Sequence, residues 1–231
     1  MILRAVLLAL ALAGPVAAQE ITAARFTEPT ERYGHGILGD AIEFGALEID
    51  VAGQETVTVR LPADHVFEDV APRLWDVTGD GMPEVVVIET DMALGGSLAV
   101  YGAEGKIAET PHIGRTNRWL APIGAADLDG DGAIEVAYID RPHLAKVLRV
   151  WRFKDGALEH VADAPGFTNH RIGERDIAGG LRDCGAEPEM VVATADWADV
   201  VGLRFDGTRF VIRKLGPHRG RESFAAALGC N

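Results

Sequence analysis

Four acidic side chains are concentrated in one short stretch of the chain. They are Asp127, Asp129, Asp131 and Glu135, with the backbone carbonyl of Ala133 as a further oxygen donor. Intervening glycines allow the backbone to curl around a centre. Hard cations such as Ca²⁺ take six to eight oxygen ligands, and carboxylates packed so closely would repel one another without a positive charge between them. The spacing therefore predicts a calcium site, with a metal-free turn as the alternative, since Asp and Gly also form tight turns unaided.

The same design occurs once more, earlier in the chain. Its oxygen donors are Asp76, Thr78, Asp80, Glu84 and the carbonyl of Met82. A hydroxyl replaces one carboxylate here and lowers the ligand charge, so the sequence predicts weaker calcium binding than at the Asp127 loop. A metal-free turn is again the alternative. An EF-hand is excluded for the later loop, because Tyr138 stands where an EF-hand needs a bidentate Glu and a β-branched run follows.

A third, shortened copy of the loop begins at Asp183 and keeps only Glu187 and Glu189 as further oxygen donors. We expect no metal there. Cys184 lies in this copy, and a disulfide to Cys230 would brace the loop instead and tie down the C-terminus. The alternative is a pair of unrelated buried thiols.

The loops belong to a repeat with a period near 50 residues. Each copy has a short apolar strand, an acidic loop, a β-branched strand and two alternating strands. The last two strands are joined by Glu104-Gly105, Asp155-Gly156 or Asp206-Gly207, pairs that tolerate the positive φ of a tight turn. The second, third and fourth strands are predicted at 85–88, 98–101 and 106–109, at 136–139, 147–153 and 157–161, and at 190–193, 200–205 and 209–215.

Four strands per repeat predict an all-β fold, a small β-propeller with four blades of four antiparallel strands. Residues 37–38, 46–51 and 57–61 would supply later strands of the fourth blade, and Ser223 to Cys230 would be the C-terminal strand that closes the ring. A five-bladed ring and an open array completed by a partner are the alternatives. The predicted divisions are a signal peptide at 1–18, a lead-in segment at 19–32 and the propeller domain at 33–231.

The acidic loops also carry a family resemblance. The pattern Asp-x-Asp-Gly-Asp-Gly-x-x-Glu, followed by a valine-rich strand and recurring at this spacing, resembles the FG-GAP or VCBS repeats of integrin-α-like β-propellers. The resemblance extends over residues 33 to 231 and is strongest in the first two loops. It implies a propeller stabilised by structural Ca²⁺, with metal on one face and ligand contacts on the other.

The first residues have the pattern of an export signal. A short start containing Arg4 precedes an apolar run from Ala5 to Ala13, and Val16-Ala17-Ala18 fits signal peptidase, so we expect cleavage after Ala18 and a periplasmic or secreted protein. An uncleaved membrane anchor is the alternative, but the run is shorter than the roughly 20 residues that a membrane span needs. No later stretch has the composition of a membrane span.

Polar clusters precede the opening strands and follow the second strands of the repeats. In a propeller these connections gather on the face opposite the acidic loops, where Arg and His would form a local positive patch suited to a carboxylate or phosphate. The alternative is that these side chains only tie neighbouring blades together through backbone carbonyls. The candidate ligand-binding residues are Arg118, Asp140, His170, Arg171, His218 and Arg219.

Composition narrows the function. A net charge of −13, from 35 acidic and 22 basic residues, argues against nucleic-acid binding. We expect a monomeric, exported calcium-binding propeller that acts as a binding module for an unknown protein or a small anionic ligand. A periplasmic hydrolase or lyase with His170, His218 and Asp140 as acid/base groups is the alternative. The sequence favours a non-enzymatic role, because it has no recognisable nucleophile elbow and no His-Glu-x-x-His motif.

Overall fold

The computed structural model describes residues 20–185 and 187–230. The expected signal peptide, with its cleavage after Ala18, lies outside these residues. The elements of the first half are β1 (Ile21–Thr30), β2 (Glu43–Val51), β3 (Val57–Arg60), β4 (His65–Phe67), β5 (Arg73–Trp75), β6 (Glu84–Asp91), β7 (Gly95–Gly102) and β8 (Gly105–Glu109). Those of the second half are β9 (Leu120–Ala126), β10 (Glu135–Asp140), β11 (Val147–Lys154), β12 (Ala157–Pro165), β13 (Phe167–Thr168), β14 (Gly180–Arg182), β15 (Glu189–Thr194), β16 (Asp199–Phe205), β17 (Phe210–Pro217) and α1 (Arg221–Leu228).

Three repeats of four antiparallel strands form the body of the molecule. They are β5 to β8, β9 to β12 and β14 to β17, each with strands in sequential order. The predicted second, third and fourth strands of every repeat are confirmed. The turns between the last two strands are also as expected: Asp155, Gly156 and Gly207 adopt positive φ angles of 50°, 77° and 84°.

The second strand of each repeat is buried on both faces. On β6, Val85 and Val87 belong to a core shared with β2, whereas Val86 and Ile88 pack against the second repeat. The strands β10 and β15 alternate in the same way, as expected from the period of two in a strand. Each fully buried Val or Ile contributes roughly 1.5–3 kcal/mol, so these strands are the main source of stability for the stack of repeats.

The N-terminal strands extend the first sheet. The strand β1 pairs with β2 along its length, and β4 joins β2 to β6, so one eight-stranded sheet contains the N-terminal strands and the whole first repeat. The segment expected as a lead-in, 19–32, therefore contains a strand of the main sheet. Residues 37–38, expected as a strand, form a turn.

The C-terminal segment is an α-helix, so the prediction of a C-terminal closing strand is wrong. Alanine is the strongest helix former, and Ala225 to Ala227 occupy the centre of α1. Phe224 and Ala227, three positions apart, face the sheet and pack on Val191, Ala193 and Val200 of the third repeat. Among the described residues, none of the three sheets closes into a ring. This helix, the one found in residues 20–230, is far shorter than a membrane span.

Candidate functional site

The acidic loops lie at the same place in successive repeats. Residues 76–83 connect β5 to β6, residues 127–134 connect β9 to β10, and the shortened third copy connects β14 to β15. In each repeat the residue before the first Asp stands opposite the last Glu: Trp75 opposite Glu84, Ala126 opposite Glu135 and Arg182 opposite Glu189. The three glutamates are therefore structurally equivalent.

Three of the four predicted carboxylates of the Asp127 loop come together. Oxygen atoms of Asp127, Asp129 and Glu135 lie within 4.8 Å of one another. The two oxygens of Asp127 also accept hydrogen bonds from the amides of Gly130 (2.7 Å) and Gly132 (2.9 Å), which close the turn. Gly130 and Gly132 have φ angles of 79° and 90°, a conformation that favours glycine.

An arginine from the neighbouring strand reaches into this cluster. Arg152 on β11 is the cross-strand partner of Glu135. Its guanidinium lies 2.6 Å from Glu135 Oε1, 2.5 Å from Asp129 Oδ2 and 3.0 Å from Asp131 Oδ2. Sequence reasoning missed Arg152, because its contact depends on strand register. Part of the positive charge that the spacing assigns to a metal is therefore supplied by the protein itself.

No arginine occupies the matching place in the Asp76 loop. Asp76 accepts hydrogen bonds from the amides of Gly79 (2.8 Å) and Gly81 (3.0 Å), and Glu84 Oε2 accepts from Val77 (2.8 Å). Val85 pairs with Tyr101, so the register of β6 and β7 places Gly102 across from Glu84. Burial raises the pKa of Glu84, and in the described residues no cationic side chain pairs with it.

The third loop is held by two arginines and a disulfide. Glu189 Oε2 accepts hydrogen bonds from Arg182 Nε (2.8 Å) and Arg213 Nη2 (3.0 Å). Burial by itself would raise the pKa of Glu189, but hydrogen bonds from Arg182 and Arg213 outweigh it and hold that pKa below its ordinary value. The predicted disulfide between Cys184 and Cys230 is confirmed, although Cys230 follows a helix and not the strand that was expected.

The first two loops fit a calcium ion by their chemistry. Both offer carboxylate and carbonyl oxygens, the ligands that Ca²⁺ prefers, and in the Asp127 loop three carboxylates already converge. The buried Glu84 carboxylate has no cationic partner in the described residues, so a bound cation would stabilise its charged form. The individual ligand assignments at both loops stay predictions.

A pocket lies at the ends of β9 and β10 that are opposite the Asp127 loop. We call this cavity of about 250 Å³ the histidine pocket. Its polar lining residues are His35, Asn117, Arg118, Arg141 and His143, and its apolar lining residues are Ile37, Trp119, Leu144 and Ile172. Because β9 begins and β10 ends here, the pocket is at the far end of this strand pair from the Asp127 loop.

Buried hydrogen bonds hold the pocket in shape. His35 Nδ1 lies 2.5 Å from Glu68 Oε1, and the indole of Trp119 donates to the Glu68 carbonyl at 2.7 Å. His143 Nε2 lies 3.0 Å from His170 Nδ1, and burial, with His170 nearby, lowers the pKa of His143 to about 4. His143 is therefore neutral at physiological pH, and Arg118 and Arg141 supply positive charge at the pocket.

Only part of the predicted ligand-binding set reaches this pocket. Arg118 lines it, whereas His170 lies behind His143 and Asp140 is buried beside Arg141 (2.8 Å) and Arg149 (3.1 Å). The other three predicted residues lie on the third repeat. The guanidinium of Arg171 lies 4.0 Å from the Trp197 ring centroid, and His218 packs against Trp197 and Phe224. Arg219 lies beside α1.

The candidate acid/base groups do not form one catalytic set. His170, His218 and Asp140 are not hydrogen-bonded to one another, and each packs against a different neighbour. Four further residues of the predicted polar clusters line the pocket, although they were not among the candidate ligand-binding residues: His35, Trp119, Arg141 and His143. Their position at the strand ends was the signal in the sequence.

Comparison with known proteins identifies one repeat. The family model described as "FG-GAP-like repeat" matches residues 76–138, a range that contains both acidic loops and the strands β6 to β9 between them. The resemblance to FG-GAP repeats is confirmed, and the chain carries such a repeat. No curated protein and no solved structure matches the chain.

Proposed function

We propose that this FG-GAP-repeat chain is an exported, calcium-stabilised, non-enzymatic binding module that takes a small anionic ligand in the histidine pocket. The observation that carries the proposal is the separation of the two sites along one strand pair: acidic oxygens at one end of β9 and β10, and the arginine- and histidine-lined pocket at the other. A metal bound at the acidic end can therefore stabilise the sheet without contacting a ligand in the pocket.

The chemistry of the pocket selects the ligand class. Arg141 is already paired with Asp140, but Arg118 makes no ion pair in the described part of the chain. Its guanidinium is free to bind a carboxylate in two-point fashion. Trp119, Leu144 and Ile172 offer an apolar surface beside it. A small carboxylate with an apolar body matches this combination.

Calcium is proposed for the first two loops, as a structural ion. Export to an oxidising compartment is supported by the Cys184–Cys230 disulfide, since such bonds persist outside the reducing cytosol. Cleavage after Ala18 is part of the proposal and is checked by the intact mass of the exported chain. A monomeric state is also proposed and is checked by the native mass in solution.

The calcium test is thermal unfolding with Ca²⁺ or EGTA. Chelation is expected to lower Tm of the native chain, and D76N/D127N is expected to reduce that difference, because it weakens both sites. D183N is the matched control and should respond like the native chain. A metal-free chain whose Tm does not rise on addition of Ca²⁺ would overturn the calcium proposal.

The ligand test uses benzoate as the probe and NMR of the Trp119 indole as the readout. Benzoate is expected to shift this signal, and benzyl alcohol, which has the same ring without a charge, is expected to shift it far less. R118Q should abolish the benzoate response, whereas R175Q, at an exposed arginine outside the lining, should retain it. Equal responses to the two probes would argue against recognition of a carboxylate.

A further inference from the structure

A second, larger cavity lies on the third repeat, away from both proposed sites. It has a volume of about 570 Å³ and lies between β17 and α1, with the Cys184–Cys230 disulfide in its lining. We call it the cationic groove, after the basic residues that line it: Arg182, Arg213, Lys214 and Arg219. None of its lining residues in the described chain is acidic, although acidic residues outnumber basic ones 35 to 22 in the sequence.

These positive charges are incompletely neutralised. Arg182 and Arg213 share a single carboxylate oxygen of Glu189, and Lys214 pairs with Asp199 at 2.7 Å. Arg219 makes no ion pair within the described residues. Arg213 and Lys214 keep 63% and 62% of their side-chain surface exposed, so both can reach a ligand. The groove therefore has an excess of positive charge on a protein that is otherwise strongly acidic.

The backbone of β17 forms a wall of the groove. Five consecutive residues, 213–217, line it, and alternate residues of a strand point to opposite faces, so the edge of the strand takes part. In its sheet β17 is the last strand and pairs only with β16. No described residue outside that sheet forms a hydrogen bond with the backbone of residues 213–216. Such an edge can accept a further strand.

We propose that the cationic groove docks an extended acidic segment of a partner protein, which pairs with the free edge of β17 and places carboxylates on Arg213, Lys214 and Arg219. The pairing of backbone groups would provide affinity. Because Arg213 and Lys214 are consecutive and point to opposite faces of the sheet, they would select acidic residues at consecutive positions of the docked segment. This inference depends neither on calcium nor on the histidine pocket.

The test measures fluorescence anisotropy of a labelled peptide that repeats Glu-Glu-Thr, which presents Glu on both faces when it is extended. The native chain is expected to bind it, and a peptide that repeats Gln-Gln-Thr is expected to bind much more weakly. R213E/K214E should weaken binding of the acidic peptide by about tenfold or more. If this variant fails to fold, R213Q/K214Q replaces it, with a smaller loss expected.

The matched control is R60E/K154E, which changes the net charge equally at exposed positions outside the groove. It should bind like the native chain, and an equal loss in both variants would overturn the assignment to the groove. Hydrogen exchange supplies the second readout: the peptide should protect amides of residues 213–216, and unchanged exchange there would overturn pairing with β17. Groove-dependent binding of inorganic polyphosphate without binding of the peptide would overturn the peptide as occupant.

Discussion

The first and third acidic loops each have a glutamate at the same place in the sheet, but the two carboxylates have different hydrogen-bond partners and opposite pKa shifts. Glu84 accepts hydrogen bonds from backbone amides and the Thr78 hydroxyl, and burial raises its pKa. Glu189 has Arg182 and Arg213 as partners, and its pKa is below the ordinary value. A shared motif therefore does not imply a shared charge balance.

The second loop lies between these extremes. Glu135 has one arginine partner, Arg152, and burial still raises its pKa against that arginine. From the first repeat to the third, the number of arginines at the equivalent glutamate is zero, one and two. The neighbouring strands therefore supply guanidinium groups to the second and third loops but none to the first.

The largest effect is expected at Arg182. R182M removes a guanidinium that is 5% exposed and leaves Glu189 with only the exposed Arg213, so we expect a loss of about 4 kcal/mol in the free energy of unfolding. Urea unfolding measures it. R204M is the control, because its pair with Glu187 is exposed and should contribute under about 1 kcal/mol. Equal losses would show that the third loop does not depend on its buried pair.

The disulfide should have the next largest effect. C184S/C230S opens a loop of sequence separation 46, and we expect a loss of about 3 kcal/mol, mainly from the greater entropy of the unfolded chain. The same urea measurement applies, with the reduced native chain as the comparison. If the loss is the same at saturating Ca²⁺ and in EGTA, the bracing of the third loop is independent of metal. If Ca²⁺ restored the lost stability, the third loop would depend on metal like the first two, and the contrast between the loops would be wrong.

A smaller effect with a defined pH dependence is expected for E189Q. A carboxylate whose pKa is lowered in the folded state stabilises the fold. That stability is fully present at a pH above the ordinary pKa, near 4.5, and is lost as the pH falls through the pKa of the folded state. At pH 7 we expect E189Q to lose about 2 kcal/mol, and below pH 4.5 the difference from the native chain should shrink. E84Q, which leaves no arginine unpaired, should cost less at pH 7 in EGTA. A pH-independent deficit in E189Q would rule out its charge as the cause.

The smallest expected effect distinguishes the second loop from the other two. R152Q removes the one guanidinium from the Asp127 cluster, and because Arg152 is partly exposed we expect a loss of about 1 kcal/mol in EGTA. Saturating Ca²⁺ should restore most of that stability and make the variant more sensitive to chelation than the native chain. Thermal unfolding with both additions measures this. A deficit that calcium leaves unchanged would mean that Arg152 does not stand in for a cation.

Much of the architecture could be predicted from local pattern. The β-branched second strands, the turns at Asp155 and Asp206, and the pairing of Cys184 with Cys230 were all predictable, because period, turn chemistry and a lone pair of cysteines act at short range or leave few choices. The C-terminal helix was missed. Its run of alanines favours a helix by propensity, and packing of Phe224 on the third sheet stabilises that helix.

The sequence alone determined which residues have oxygen ligands at a spacing suited to a cation, and it placed them in a repeated strand-loop-strand unit. Only the tertiary structure decided how each loop is neutralised, because Arg152 and Arg213 come from strands that follow the loop and reach it through register. The histidine pocket and the cationic groove depend on tertiary structure for the same reason. Their walls combine residues far apart in sequence, and the packing of successive sheets and of α1 brings those residues together.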